Sequence, residues 1–320
     1  MTAVKKNALC IMNPAAGKKK ALEPVIDAIT NALSPEYHLD CYLTKGKGDA
    51  TRLARENAQH AQLLVCGGGD GTLNEVVTGL QQIKKDLLIH YIPLGTSNAV
   101  ARTLKIPKNI KKNIKLLKAN HTAIHDIGVF NKEKYYNYFA GFGALTAVAY
   151  STPQKYKNKL GFLAYIFHYM KHIKQMEPVH AKVFFDGHMQ EGDYIFGSIS
   201  NTPTIGGGAI RLKEQDVCFD DGQLELLLVE TINSKLAFVR IVCNGVFLKK
   251  FDRFGVSLHS ASNIRIEFEK ETAWTVDGED AGAYQSVEIT VKEGALQIIT
   301  GLPDGRKNKT CAKGTGKAPA

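Results

Sequence analysis

The chain has 320 residues, 44% hydrophobic and 22% charged, with a formal net charge of +10. That length buries a sizeable core and exceeds what a single core usually serves, so two domains are expected. The positive balance suits nucleic acid, an anionic membrane or an anionic substrate, but no zinc-finger spacing or aromatic RNA-binding signature accompanies it, which argues against nucleic acid.

The start, MTAVKKNALCIMNP, lacks the apolar core of a signal peptide, and the six cysteines show no CxxC spacing, so they read as buried or free thiols of a cytoplasmic protein. From residue 8 to about 120, short apolar runs alternate with helical patterns. ALCIM (8 to 12), LDCYLT (39 to 44), QLLVC (62 to 66) and LLIHYI (87 to 92) read as strands. ALEPVIDAITNAL, DATRLARENAQ and KNIKKNIKLLK read as amphipathic helices. Such alternation predicts right-handed βαβ units and a doubly wound parallel α/β sheet. NPAAGK, TKGKGDA, GGGDGT and PLGTSN follow the four strands in turn, so all four loops are expected on one sheet edge, where open α/β sheets bind ligands.

The third of these loops carries most of the chemistry. Gly67, Gly68, Gly69 and Gly71 let backbone N–H groups approach a ligand, and the helix beginning near Thr72 points its positive end at the same place, which suits phosphate. GxxxxGK[ST] is absent, and so is the Rossmann fingerprint with its ribose-binding acid. Asp70 would repel phosphates unless Mg²⁺ lay between them, which suggests a metal-bound nucleotide. The competing reading is a plain turn, since Asp-Gly recurs at 186, 221, 277 and 304.

Beyond about residue 122 the pattern changes to alternating apolar and polar residues: EKYYNYF, HAKVFFDG, DYIFGSIS, QLELLLVE, NIRIEFE, SVEITV and LQIIT. These predict a β-rich, antiparallel, sandwich-like second domain, with helices inserted at 159–174 and 235–247. In the first of these helices, Phe162, Leu163, Ile166, Phe167, Met170 and Ile173 form an apolar stripe suited to a core or a membrane surface. The apolar-rich segment from Leu160 is too short to span a bilayer. Asp216, Asp220 and Asp221 could form a hard-cation site or a solvated turn. The expected domains are 1–120, 121–300 and a basic disordered tail at 301–320, whose start is free to pack back on the first domain.

GGGDGTLNEVVTGL, NPAAGKK and PLGTSNAVARTLKIP, at these separations and followed by DDG and WTVDGE, closely resemble the diacylglycerol kinase catalytic-domain family, which includes sphingosine and ceramide kinases. The resemblance implies an ATP- and Mg²⁺-dependent lipid kinase. Asn13 and Gly67 to Thr72 would hold ATP, Thr44 would close the crevice beside it, and Gly95, Thr96 and Asn98 would lie next to its phosphates. Glu75 would orient the glycine loop. Asp277 would be the general base, with Glu279 near metal or phosphate and Asp70 as the third catalytic residue; from the residues alone Asp277 reads as a hairpin turn. Asn substituted for Asp70 or Asp277 is expected to leave the fold intact and abolish transfer.

Two departures bear on the acceptor. Ala99 stands where many relatives have aspartate, and Leu145 lies in a region where relatives carry an acidic residue near the acceptor head, so a neutral or unusual acceptor is implied. The expected partners are a lipid substrate and a peripheral membrane surface, with no nucleic acid and with homodimerisation left open. A soluble kinase such as an NAD kinase and a non-catalytic nucleotide or lipid sensor are the alternative readings.

Overall fold

The computed structural model describes residues 4–17, 22–119, 121–143, 177–202, 204–205, 210–211, 219–231 and 255–302. In chain order the elements are β1 (Lys6–Met12), α1 (Glu23–Leu33), β2 (Tyr37–Leu43), α2 (Asp49–Asn57), β3 (Leu63–Gly68), α3 (Asp70–Gln82), β4 (Leu88–Pro93), α4 (Ala99–Thr103), α5 (Ile110–Ala119) and β5 (Thr122–Phe130). They continue as β6 (Lys134–Tyr136), β7 (Phe139–Gly143), β8 (Val179–Phe185), β9 (His188–Ser200), β10 (Thr204–Ile205), β11 (Ile210–Arg211), β12 (Leu224–Glu230), β13 (Val256–Ala261), β14 (Asn263–Val276) and β15 (Glu279–Ile299). The chain divides into two compact units: Met1–Ile127 with Phe219–Asp221 and Lys292–Ala320, and Gly128–Cys218 with Gly222–Val291. The segment from Lys292, read from sequence as the end of the second domain, therefore groups with the first unit.

In the first unit β2, β1, β3, β4 and the end of β15 lie side by side, all parallel. β1 has β2 on one side and β3 on the other, so the chain reverses its direction of travel across the sheet there. The loops after β1 and β3 open at this switch point, the usual ligand crevice of such sheets. Continuous burial of Leu63 to Gly68 explains the unbroken apolar run of β3, as expected for a strand covered on both faces. Ala8, Cys10, Met12, Leu63, Val65 and Ile92 pack with Ile29 and Leu33 of α1. Pro24 in the first turn of α1 fits a position whose N–H has no helical partner. Cys10, Cys41 and Cys66 are free thiols.

One buried group makes the first unit acid-sensitive. His90 on β4 is fully buried, and burial pushes its pKa down to about 4, with the Asn113 side chain acting the other way. The unfolded chain takes up a proton near pH 6.5 and the folded chain only near 4, so stability is complete above 6.5 and is lost as pH falls towards 4. Over that window the loss is about 3 kcal/mol at 1.36 kcal/mol per pKa unit. Urea midpoints measured from pH 7 to 4.5 should show it, and His90→Phe should flatten that part of the profile.

The second unit is antiparallel. β12 pairs with β13 and β9, β9 with β7 and β8, and β14 with β7 and β8. One face packs Phe142, Ile199, Leu224, Leu226, Leu228, Ile264, Ile266, Trp274 and Val287 into a core. Phe142, Phe268 and Trp274 meet at ring-centroid distances of 5.0 and 6.1 Å within it. SVEITV and LQIIT, read as separate strands, belong to the single strand β15; β13 had no counterpart among the expected strands. β15 passes Gly294 at a φ of +60°, where the Gly294 N–H donates to the Asp126 carboxylate at 2.7 Å. The expected helices at 159–174 and 235–247 lie outside the described residues. Among the described residues no helix is long and apolar enough to cross a membrane.

Candidate functional site

Three of the four glycine-containing loops are knitted together in the first unit. The N–H of Asn13, just past β1, donates to Gly67 O at 2.8 Å, and its side-chain Nδ2 donates to Thr72 Oγ1 at 3.0 Å. Asn13 Oδ1 accepts the N–H of Ala15 at 2.9 Å, which closes the NPAAG turn. The N–H groups of Leu94 and Gly95, past β4, donate to Gly68 O at 2.8 and 3.2 Å. These contacts leave no room for side chains. A Cβ on Gly95 would lie 2.6 Å from Gly69 Cα, and one on Gly17, at a φ of +72°, would overlap the Leu94 carbonyl oxygen. Glycine is required at both positions because backbone, which cannot rotate away, is what a side chain would meet.

α3 begins at Asp70 with Gly69 as its N-cap and no side-chain cap, so its leading N–H groups are presented to the loop cluster. Gly71 is exposed and a Cβ there would meet nothing within 4 Å. The Asn98 backbone is left-handed, and the residue is fully buried. Its Nδ2 donates to Gly95 O at 2.6 Å, while its Oδ1 lies 3.3 Å from the Tyr91 hydroxyl, itself 3.2 Å from Gly68 O. Asn98 therefore shapes its own loop from beneath. Thr96 is exposed, and its carbonyl accepts from Lys108 Nζ at 3.2 Å.

Asp70 sits differently from a carboxylate aimed only outward. Its Oδ1 accepts the N–H of Val100 at 3.3 Å, which ties α3 to the start of α4. Burial raises its pKa, opposed by the backbone N–H groups of Ala99, Val100 and Asn98 and by the charge of Arg102. Ala99 is buried at this junction. The side-chain hydrogen bonds of Glu75 run to the start of α2. Its carboxylate accepts the N–H groups of Gly48 and Ala50 at 2.9 and 3.1 Å, so it caps α2. Thr51 Oγ1 donates to Glu75 O at 2.9 Å. Glu75 thus steadies the segment after Thr44, whose own N–H donates to Met12 O at 2.9 Å. Removing two capping acceptors costs about 1–2 kcal/mol, so Glu75→Ala should unfold at correspondingly lower urea while nucleotide affinity changes little.

Tyr91, Arg102 and Lys108 were not singled out from sequence. Tyr91 lies inside an apolar run and looks like core until its hydroxyl is found between two loops. Arg102 and Lys108 supply the positive charge that GGGDGT lacks, and Arg102 Nη2 lies 3.3 Å from Ser97 Oγ. The legible signal was their position four and ten residues after Asn98, Arg102 within PLGTSNAVARTLKIP and Lys108 directly after it.

In the second unit Asp277 occupies the β14–β15 turn at a φ of +49°. Its Oδ2 accepts the N–H of Asn137 at 2.9 Å, and its Oδ1 accepts those of Tyr138 and Phe139 at 2.9 and 3.0 Å. The Asp277 N–H donates to Phe139 O at 2.8 Å. A turn and an oriented carboxylate are thus one feature. Glu279 is exposed, and its carbonyl accepts from Thr275 Oγ1 at 3.0 Å. Of the acidic turn, Asp220 and Asp221 are exposed and Asp216 lies outside the described residues, as do Leu145 and the apolar stripe from Phe162. Among the described residues no cluster of three metal-ligating side chains forms.

Residues 7–130 match the family model for the diacylglycerol kinase catalytic domain, and residues 140–300 match that for the YegS C-terminal NAD kinase beta sandwich-like domain. The chain is 32% identical over 282 residues to a diacylglycerol kinase of Staphylococcus aureus strain bovine RF122 / ET3-1, covering 87% of this chain and 88% of that one. It resembles two crystal structures from Bacillus anthracis str. Sterne. One, a putative diacylglycerol kinase, has a TM-score of 0.75 at 28% identity over 92% of this chain and 97% of the other. The second, a diacylglycerol kinase, has a TM-score of 0.71 at 25% identity over 94% and 98%. With both halves matched in order and a relative aligned over most of its length, the chain belongs to the diacylglycerol kinase catalytic-domain family and is a kinase.

Proposed function

We propose that the protein is an ATP- and Mg²⁺-dependent lipid kinase that transfers the γ-phosphate to a hydroxyl of a neutral glycerol lipid such as diacylglycerol. The observation that carries this reading is the loop cluster, where Gly67 to Thr72 is bonded to Asn13 on one side and Gly95 on the other, leaving backbone N–H groups and a helix start to meet phosphate. The names of the relatives support the acceptor class.

The residues present suit a Mg²⁺-bound triphosphate. Asp70 is a carboxylate whose anion is disfavoured by burial, a penalty that a divalent cation offsets. Mg²⁺, when bound through Asp70, neutralises phosphate charge. The backbone N–H groups of Gly69 to Thr72 orient the phosphates, and Arg102 and Lys108 balance their remaining charge. Asp277, held by three N–H groups, is the carboxylate that takes the proton of the acceptor hydroxyl, with Glu279 beside it at the turn. The enzyme works in the cytoplasm at a membrane surface, where its positive charge favours anionic lipid at about 1 kcal/mol per well-placed Lys or Arg. Asp216, Asp220 and Asp221 remain candidates for a structural cation.

The test is incubation with γ-labelled ATP, Mg²⁺ and a lipid extract in micelles, followed by extraction. Label in the organic phase, dependent on Mg²⁺ and on Asp70, supports the reading. Label on NAD or another soluble metabolite, with none in lipid, replaces it with a soluble kinase; ATP binding with no transfer anywhere replaces it with a sensor.

A further inference from the structure

Ser198, Ser200 and Glu225 pose a problem that packing of the second unit does not solve. On β9 and β12 they alternate with Ile199, Leu224 and Leu226, which belong to the core, so they lie on the sheet face turned away from it. A face of that kind is polar because water reaches it. Yet Ser198 and Ser200 are 0% exposed and Glu225 1%. The Oγ atoms of both serines have no hydrogen-bond partner among the described residues. Two unpartnered buried hydroxyls cost stability, and each such group calls for an explanation, of which a functional role is one.

Strand register sets these residues in line with the turn that holds Asp277. Phe139 pairs with Ser200, Ser200 with Glu225, and Glu225 with Ser260, giving one row across β7, β9, β12 and β13. Paired residues share a face, so the row runs from Phe139, whose N–H holds Asp277 Oδ1, through the buried serine and glutamate to Ser260, which is exposed. The neighbouring row sets Thr275, Gly141, Ser198 and Leu227 side by side. Polar Ser198, Ser200 and Glu225 are thus bordered by Phe139 and Leu227, an amphipathic patch entirely within one unit. Burial, and after it the charges of Asp277 and Glu225, raise the pKa of the Tyr136 hydroxyl well above its ordinary value.

We propose that Ser198, Ser200 and Glu225 bind the polar head of the acceptor and set its specificity, the serine hydroxyls donating to ester oxygens and the Glu225 carboxylate accepting from a head-group hydroxyl. The chemistry is that of a neutral, multiply oxygenated glycerol lipid. This rests on the lipid-kinase reading above and names residues that the family motifs do not include.

The test compares wild type with a Ser198→Ala/Ser200→Ala protein and with Glu225→Gln, using labelled ATP and 1,2-dioctanoylglycerol in detergent micelles. The double serine variant should raise the KM for the lipid about tenfold or more, the effect of losing good hydrogen bonds to a substrate. Its KM for ATP should stay unchanged, and its melting temperature should hold or rise, because no bond within the protein is lost. Glu225→Gln should raise the lipid KM more than it alters kcat. Lipid KM unchanged in all variants overturns the assignment and leaves the kinase reading intact, as does a lower melting temperature of the serine variant with unchanged lipid KM. A wild type that phosphorylates no lipid overturns the kinase reading and this assignment together, before any variant is compared.

Discussion

Asp277→Asn should lose stability and activity together, and the two losses should be separable. Asparagine tolerates the left-handed backbone at this turn, so the φ of +49° is not the source of harm. The side chain is. Asp277 accepts three N–H groups, from Asn137, Tyr138 and Phe139, and an amide places an NH₂ against at least one of them. One lost acceptor facing a partly buried N–H costs about 1–3 kcal/mol. With Asp277 as the proposed proton acceptor, its loss should reduce transfer by a further 10²–10⁴-fold, the usual range for general acid–base catalysis. Urea unfolding measures the first effect, and turnover of the folded fraction at low temperature measures the second. Wild-type turnover in folded protein would remove Asp277 as the base. Wild-type stability with lost turnover would mean that the amide cage contributes nothing in solution.

Asp70→Asn should reduce transfer by about 10²–10³-fold, the cost of removing one preorganised electrostatic group, with a smaller effect on folding. Its Oδ1 contact to the Val100 N–H is long, 3.3 Å, and an asparagine carbonyl can still accept it. The raised pKa of Asp70 means that removing the charge relieves a burial penalty in the protein without nucleotide. The expected pattern is therefore unchanged or slightly higher stability, near-normal binding of ATP without metal, and lost Mg²⁺ enhancement of binding. Calorimetric titration of ATP with and without Mg²⁺ distinguishes this from a collapse of the α3–α4 junction, which would weaken both equally.

From sequence, asparagine at either Asp70 or Asp277 was expected to leave the fold intact. Tertiary contacts separate them, because Asp277 binds N–H groups some 140 positions earlier in the chain and Asp70 binds one 30 positions later. Glu75 shows the same limitation. The family resemblance implied service to the glycine loop, but the Glu75 carboxylate accepts the N–H groups of Gly48 and Ala50 at the start of α2.

What the sequence determined by itself was the order and type of elements in the first unit, since apolar runs of strand length punctuated by glycine loops leave few alternatives. It also made legible that 67–72 presents backbone N–H groups at a helix start, because glycines followed by a helix do this without side chains. Only tertiary structure decided that SVEITV and LQIIT form one strand, since a single left-handed glycine within a strand looks like a turn until pairing partners are known. It alone decided that Ser198, Ser200 and Glu225 lie buried on the face opposite the core. Alternation assigns such residues to water, and burial depends on what other parts of the fold bring against that face, which local sequence does not encode.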